Sequence, residues 1–395
     1  MVRKARVRAE PLEAEIEASR DPEAEATLRC NLAAIAAFQR GSILPVVMVG
    51  LLILGLLPSE ANADSGPSEP ARRGPHAFHP SPTSALMRGP QSKPGMQSAV
   101  DLDFTFLELS LEYLHTGDVS LLERIARSPA MAHLVRHASH FRGGPAREAA
   151  SPPSLLRELL SPRTAKCKLS VLVRSCALSA RQILACSKGW VQDCQAYLPS
   201  EFGFRGSLFF TFGYDIGVAF PPNASINLAH AHFAHAPREV LYYAIHELHH
   251  VGFMTYQPPP RPADIRTCGD LLRLVEYCTQ LEGMAVHAAL PRRRADGRME
   301  GDSDYAALSD AGIMKRLVAE YFRLYGDLAK RKAQPADSRA FSILERMSTG
   351  DRLWYRVGAH MADEIESRLG RATLVDLVRE GPAAFLDAFT SARSQ

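Results

Sequence analysis

Charge imbalance is nearly absent from this chain. Its 46 Lys and Arg stand against 43 Asp and Glu, leaving a net charge of +3 over 395 residues. No basic stripe is interleaved with aromatics, so nucleic acid and anionic membrane surfaces are poor candidate partners. No glycine-rich phosphate loop and no G-x-S-x-G elbow is present, which removes P-loop nucleotide chemistry and the serine-hydrolase elbow. There is no internal repeat, and so no solenoid. Tryptophan is limited to 2 residues and histidine to 14. What is present is ordinary for a globular chain with a real core: 46% hydrophobic and 23% charged residues.

Long apolar runs are also lacking, with one exception. "ILPVVMVGLLILGLL", Ile43 to Leu57, follows Arg40 and precedes "PSEANADS". A short apolar core, a positive flank and the small-x-small site Ala61-Asn62-Ala63 describe a secretory signal peptide. The run is shorter than the roughly 20 residues that span a bilayer. The stretch before it is long and mixed in charge, unlike a normal n-region. That leaves two readings of residues 1–63: an extended n-region with a signal peptide cleaved after Ala63, or an uncleaved signal anchor. The first predicts export to the periplasm, envelope or medium. The second predicts membrane attachment through residues 43–57.

Of the seven cysteines, Cys30 precedes the cleavage site and six follow it. An even number in an exported chain invites disulfides. Cys186 and Cys194, or Cys268 and Cys278, lie too far apart along a continuous helix to bridge. A helical hairpin pairing Cys176 with Cys186 and Cys167 with Cys194 is the arrangement expected if bridges form.

The chain divides by texture. Residues 64–98 are rich in Pro, Gly, Ser and Arg and read as a flexible linker. Residues 99–200 carry helical periodicity, beginning with "VDLDFTFLELSLEYL". "SPAMAHLVRHA" opens with Ser128 as a cap and Pro129 at the first helical position. A β-like island follows, "GSLFFTFGYDIGVAF" and "ASINLAHAHF", punctuated by Gly213, Gly217 and Pro221-Pro222 and read as two or three strands. Helical texture then returns through the C-terminal part, with "PRRR" at Pro291 to Arg294 read as a solvated loop. The expected architecture is α+β and mostly helical, with a small sheet ahead of the helix that carries "HELHH". Residues 201–395 are read as the part that carries the chemistry, with a single domain over 99–395 as the alternative.

"IHELHHVGF" holds H-E-x-x-H as His246, Glu247 and His250. Residues four apart stack on one helix side, so both imidazoles can meet at one point, as zinc requires. Glu247, offset by one, flanks the metal and can take a proton from its water. His249 points elsewhere and reads as a supporting or surface residue. A catalytic zinc needs a third protein ligand. The H-x-x-G-x-x-H continuation of metzincins is absent. The downstream "LLRLVEYCTQLEGMAVHAAL" offers Glu276 and Glu282, on different sides of one helix. Glu282 is preferred: Gly283 beside it permits close helix packing, and its apolar setting demands a partner. Glu276 reads as a structural carboxylate.

An HExxH helix followed by "EGMA" resembles the glutamate-zincins. It is also similar to bacterial families of predicted zinc-dependent peptidases that share "HELHH", a later "EG", and a C-terminal stretch like "YRVGAHMADEIESRLGRATLVDLVREGPAAFLDAF". The likeness covers roughly residues 99 to 392. It implies a zincin-like catalytic domain and one Zn²⁺ held by His246, His250 and Glu282. It further implies Glu247 as general base, Tyr355 as a donor to the attacked carbonyl, and a peptide or protein substrate. His360 is a weaker candidate for that donor.

"NLAHAHFAH" places His230, His232 and His235 ahead of the helix. On a strand, His230 and His232 share a face and line the cleft, with a second metal as the lesser alternative. "ASINLAH" is expected to hold an extended peptide by strand addition. Two rival functions remain: a non-catalytic zinc-binding envelope protein, and a signal-anchored interaction module without metal. Cleavage after Ala63 predicts that the exported protein begins at Asp64, which N-terminal sequencing would show. A membrane-bound form retaining residues 43–57 would establish the anchor instead.

Overall fold

The computed structural model describes residues 99–141, 151–160 and 167–394. The apolar run, the Ala61-Asn62-Ala63 site and the linker lie outside them. Among the described residues, no helix is long and apolar enough to cross a membrane.

The chain is α+β and mostly helical. Strand β1 (Ala99–Asp103) leads into α1 (Thr105–Thr116), α2 (Ser120–Ala126), α3 (Pro129–Phe141), α4 (Pro152–Leu159), α5 (Cys167–Cys186) and α6 (Trp190–Gln195). Then come β2 (Arg205–Thr211), β3 (Gly217–Phe220) and β4 (Asn223–Asn227), followed by α7 (Ala231–His235), α8 (Glu239–Tyr256) and α9 (Cys268–Ala295). The C-terminal helices are α10 (Ser303–Leu308), α11 (Ala311–Ala329), α12 (Ser338–Ser348), α13 (Leu353–Leu369), α14 (Arg371–Glu380) and α15 (Pro382–Ser394).

The four strands form one mixed sheet in the order β1-β2-β4-β3. β1 runs parallel to β2, with Leu102 opposite Leu208, and β2 runs parallel to β4. β3 returns antiparallel to β4, with Gly217 opposite Ile226. The three strands of the β-like island are joined by β1, from a stretch whose spacing suggested helix. Val100 and Leu102 alternate with Asp101 and Asp103, a strand period that the helical spacing of Leu102, Phe106 and Leu109 conceals. The Asp103 carboxylate accepts from Thr105 N–H at 2.8 Å, at the residue where α1 begins. The cap at Ser128 is present: its hydroxyl accepts from Met131 N–H at 3.2 Å.

Three other expectations are corrected. "NLAHAHF" is not one strand. β4 ends at Asn227, His230 caps the short α7, and His232 lies within it. "PRRR" is the last turn of α9, not a loop. Arg293 there is buried, ion-paired with buried Glu239, and its guanidinium lies 4.2 Å from the Tyr242 ring centroid and 3.9 Å from that of Tyr305. Finally, Cys176 and Cys186 lie on the same continuous helix α5, too far apart along it for a bridge. Both thiols, with Cys194, are free.

The packing that positions the C-terminal half is the crossing of α9 and α13. A Cβ on Gly283 would lie 2.2 Å from the Gly358 carbonyl carbon, and one on Gly358 would lie 2.2 Å from Thr279 O. The two backbones touch because neither glycine has a side chain. Gly283→Ala and Gly358→Ala should each lower unfolding stability by about 1–3 kcal/mol through overpacking, read by urea titration. A gain of about 1 kcal/mol, which helix propensity alone gives for an exposed position, would contradict this contact.

Candidate metal centre and cleft

α8 is a buried helix. Val240, Leu241, Ala244, Ile245, Leu248 and Val251 fix its apolar sides, and Glu239 sits in its first turn. His246 and His250, one turn apart, present ring centroids 4.4 Å from each other. α9 crosses it and delivers Glu282. Glu282 Oε2 lies 3.3 Å from His246 Nε2 and 3.1 Å from His250 Nε2. Glu276, six positions earlier, faces away and accepts a hydrogen bond from the Tyr325 hydroxyl at 2.6 Å.

The chemistry of this group suits a divalent cation. Glu282 Oε2 is buried and has no hydrogen-bond partner, although both imidazole nitrogens are close. Buried polar atoms are normally satisfied, and two imidazole nitrogens and a carboxylate oxygen converging at one point are a donor set that suits a divalent cation. Burial and the neighbouring His250 hold His246 down at about pKa 4, so it is the neutral, ligating form at physiological pH. Burial opposes ionisation of Glu282, but the two imidazoles outweigh it and hold the carboxyl well below its usual range. His246, Glu247 and His250 also form a group whose ligand atoms lie within 4.8 Å of one another.

Glu247 lies beneath the edge strand. A Cβ on Gly217 would stand 2.4 Å from Glu247 Oε1, so a side chain there would displace this carboxylate from its present position. Burial first, then the charges of Glu282 and Asp215, push its pKa well above the usual value. That is the direction a general base working near neutrality requires.

Tyr355, at the start of α13, lies over His246 with the rings 13° from parallel and 6.4 Å between centroids. The Arg352 guanidinium stacks on its other neighbourhood, 3.6 Å from the Tyr355 centroid. Burial, opposed by Arg352, keeps the hydroxyl protonated and able to donate. Arg352 has φ of 49°, in the left-handed region. Buried Asp304 accepts from Arg352 Nε at 2.8 Å and from Arg356 Nε at 2.9 Å, fixing the first turn of α13. The cleft among these residues encloses about 90 Å³. Arg352, Asp304 and Asp215 line it and were not singled out from the sequence. Asp302 caps α10 by accepting from Asp304 N–H at 2.8 Å, whereas nothing local marks Arg352.

The other histidines singled out from the sequence separate from this centre. His249 is fully buried rather than on the surface, and burial keeps it neutral. His360 packs on Phe389, with 6.1 Å between centroids, and does not line the cleft. His232, Glu239 and Asp302 form a second group that could hold a metal by proximity. Glu239 is, however, engaged by the Arg293 guanidinium through two nitrogens, which satisfies its charge without an ion.

If Glu282 is a ligand and Glu276 is not, Glu282→Ala should lower zinc affinity by at least tenfold to a hundredfold, the range reported for losing even a supporting partner. Glu276→Ala should leave zinc per chain unchanged. Metal analysis after dialysis against a graded chelator distinguishes them, and full zinc retention by Glu282→Ala would exclude it as a ligand.

No curated protein and no solved structure matches the chain. A family model does match, over residues 184–395, which include α8, α9 and α13. The chain therefore belongs to the zinc-dependent family described as "Putative zinc dependent peptidase (DUF5700)".

Proposed function

We propose that the chain is an exported, single-zinc metallopeptidase of the glutamate-zincin type. The observation that carries this reading is the convergence of His246, His250 and Glu282, with Glu247 beside them beneath strand β3. His246, His250 and Glu282 would hold the ion. Zinc bound there supplies Lewis acidity, making water a better nucleophile and a carbonyl a better electrophile.

The protein's own groups do the rest. Glu247 accepts the proton of the attacking water and returns it to the departing amine. Its desolvated position under Gly217 favours proton uptake. Tyr355 donates its hydroxyl to the carbonyl oxygen as negative charge develops there. β3 is an edge of the sheet among the described strands, and Ile216 to Ala219 line the cleft. An extended peptide pairing with β3 would lie across Glu247. This role had been expected for "ASINLAH", but β4 is an interior strand, so β3 takes it. Export rests on the apolar run and the Ala61-Asn62-Ala63 site.

Glu247→Gln should keep its zinc and lose roughly 10²–10⁴ in kcat on a mixed peptide library. Tyr355→Phe should lose about 10²–10³ in kcat with little change in KM. Turnover by Glu247→Gln at the wild-type rate would sink the mechanism. Zinc-loaded wild type that cleaves no peptide would favour a non-catalytic zinc-binding envelope protein.

A further inference from the structure

The geometry points to His137 as a substrate-positioning residue supplied from outside the family-matched region. His137 lies on α3, upstream of residues 184–395, yet its side chain lines the same cleft as Glu247 and Tyr355. It is buried, and its Nδ1 lies 3.0 Å from the Tyr214 hydroxyl. The two rings meet edge to face at 5.7 Å.

Tyr214 is where this matters. Gly213 and Tyr214 have φ of 82° and 79°, two consecutive left-handed residues that reverse the chain between β2 and β3. Glycine adopts this conformation freely, whereas a bulky residue there is strained and needs its surroundings to hold it. Asn227 Oδ1 accepts from Gly213 N–H at 2.9 Å and secures one side of the turn. The His137 contact secures the other, at the end of the tyrosine. The next residues are Asp215 and Ile216, and then Gly217, which sits against Glu247. The turn thus sets where the head of β3 lies relative to the base. His137 acts through Tyr214 to fix the strand on which a peptide would pair. This inference rests on the peptidase reading of the cleft.

The test uses the zinc-loaded full chain and the variants His137→Ala, His137→Asn and Tyr214→Phe. The asparagine amide can occupy the place of Nδ1, so His137→Asn should restore most of what His137→Ala loses. On an octapeptide, His137→Ala and Tyr214→Phe should each raise KM by roughly tenfold, the worth of one hydrogen bond, with kcat nearly unchanged. On a tripeptide too short to span β3, KM should stay as in wild type. The double variant should lose no more than either single one. A loss confined to kcat, equal across peptide lengths, or additive in the double variant would overturn the assignment. Hydrogen exchange gives a readout independent of turnover. Amides 214–220 should exchange faster in His137→Ala and Tyr214→Phe while α8 is unchanged, and unchanged exchange at 214–220 would also overturn it. Wild type that cleaves nothing, with faster exchange at 214–220 in the variants, would remove the peptidase reading and leave the anchoring of the strand standing.

Discussion

The contact of Gly283 with Gly358 is the constraint on which the rest of the cleft depends. Glu282 precedes one of these glycines, and Tyr355 lies one turn before the other. Because the α9 and α13 backbones touch, a carboxylate from one helix and a phenol from the other come to the same histidine, His246, on α8. Any side chain at the crossing would move them apart together. Helix packing here sets chemical geometry, since interiors are close-packed and transmit small displacements.

Around that crossing, buried charges are managed in two ways. Glu239 with Arg293, and Asp304 with Arg352 and Arg356, are ion pairs closed within the protein. Each carboxylate is met by a guanidinium, which closes its charge inside the protein, although Arg293 Nε is left without a hydrogen-bond partner. Glu282 differs. Its nearest neighbours are the imidazoles of His246 and His250, and no guanidinium or ammonium reaches it. The contrast between these groups, within one cleft, distinguishes a structural ion pair from a cation site.

Much of this was legible locally. The four-residue spacing of His246 and His250 is a property of any helix, and Gly283 marked close packing before the packing partner was known. What stayed hidden depended on residues remote in sequence. Arg293 in "PRRR" looks solvated until Glu239, 54 positions earlier, is brought beside it between two tyrosine rings. β1 is a strand because Arg205 to Phe209 lie alongside it, not because its own spacing excludes a helix. His230 and His232 looked like a strand pair because alternation continued past the point where Asn227 ends the ladder. Arg352 and His137 carry no local signal, since each matters through residues remote in sequence: Asp304 beside Arg352, and Tyr214 beside His137.

Gly217 has a consequence of another kind. Its missing side chain is the space that Glu247 occupies, while the three groups converging at Glu282 lie on α8 and α9 and do not touch it. On the proposed assignment, the sheet therefore constrains the base in a way that the ligands do not share. On the proposed mechanism, one added methyl in β3 would separate the two properties that the family description joins. A descendant could remain a zinc protein while ceasing to be a peptidase, with every residue of HELHH intact.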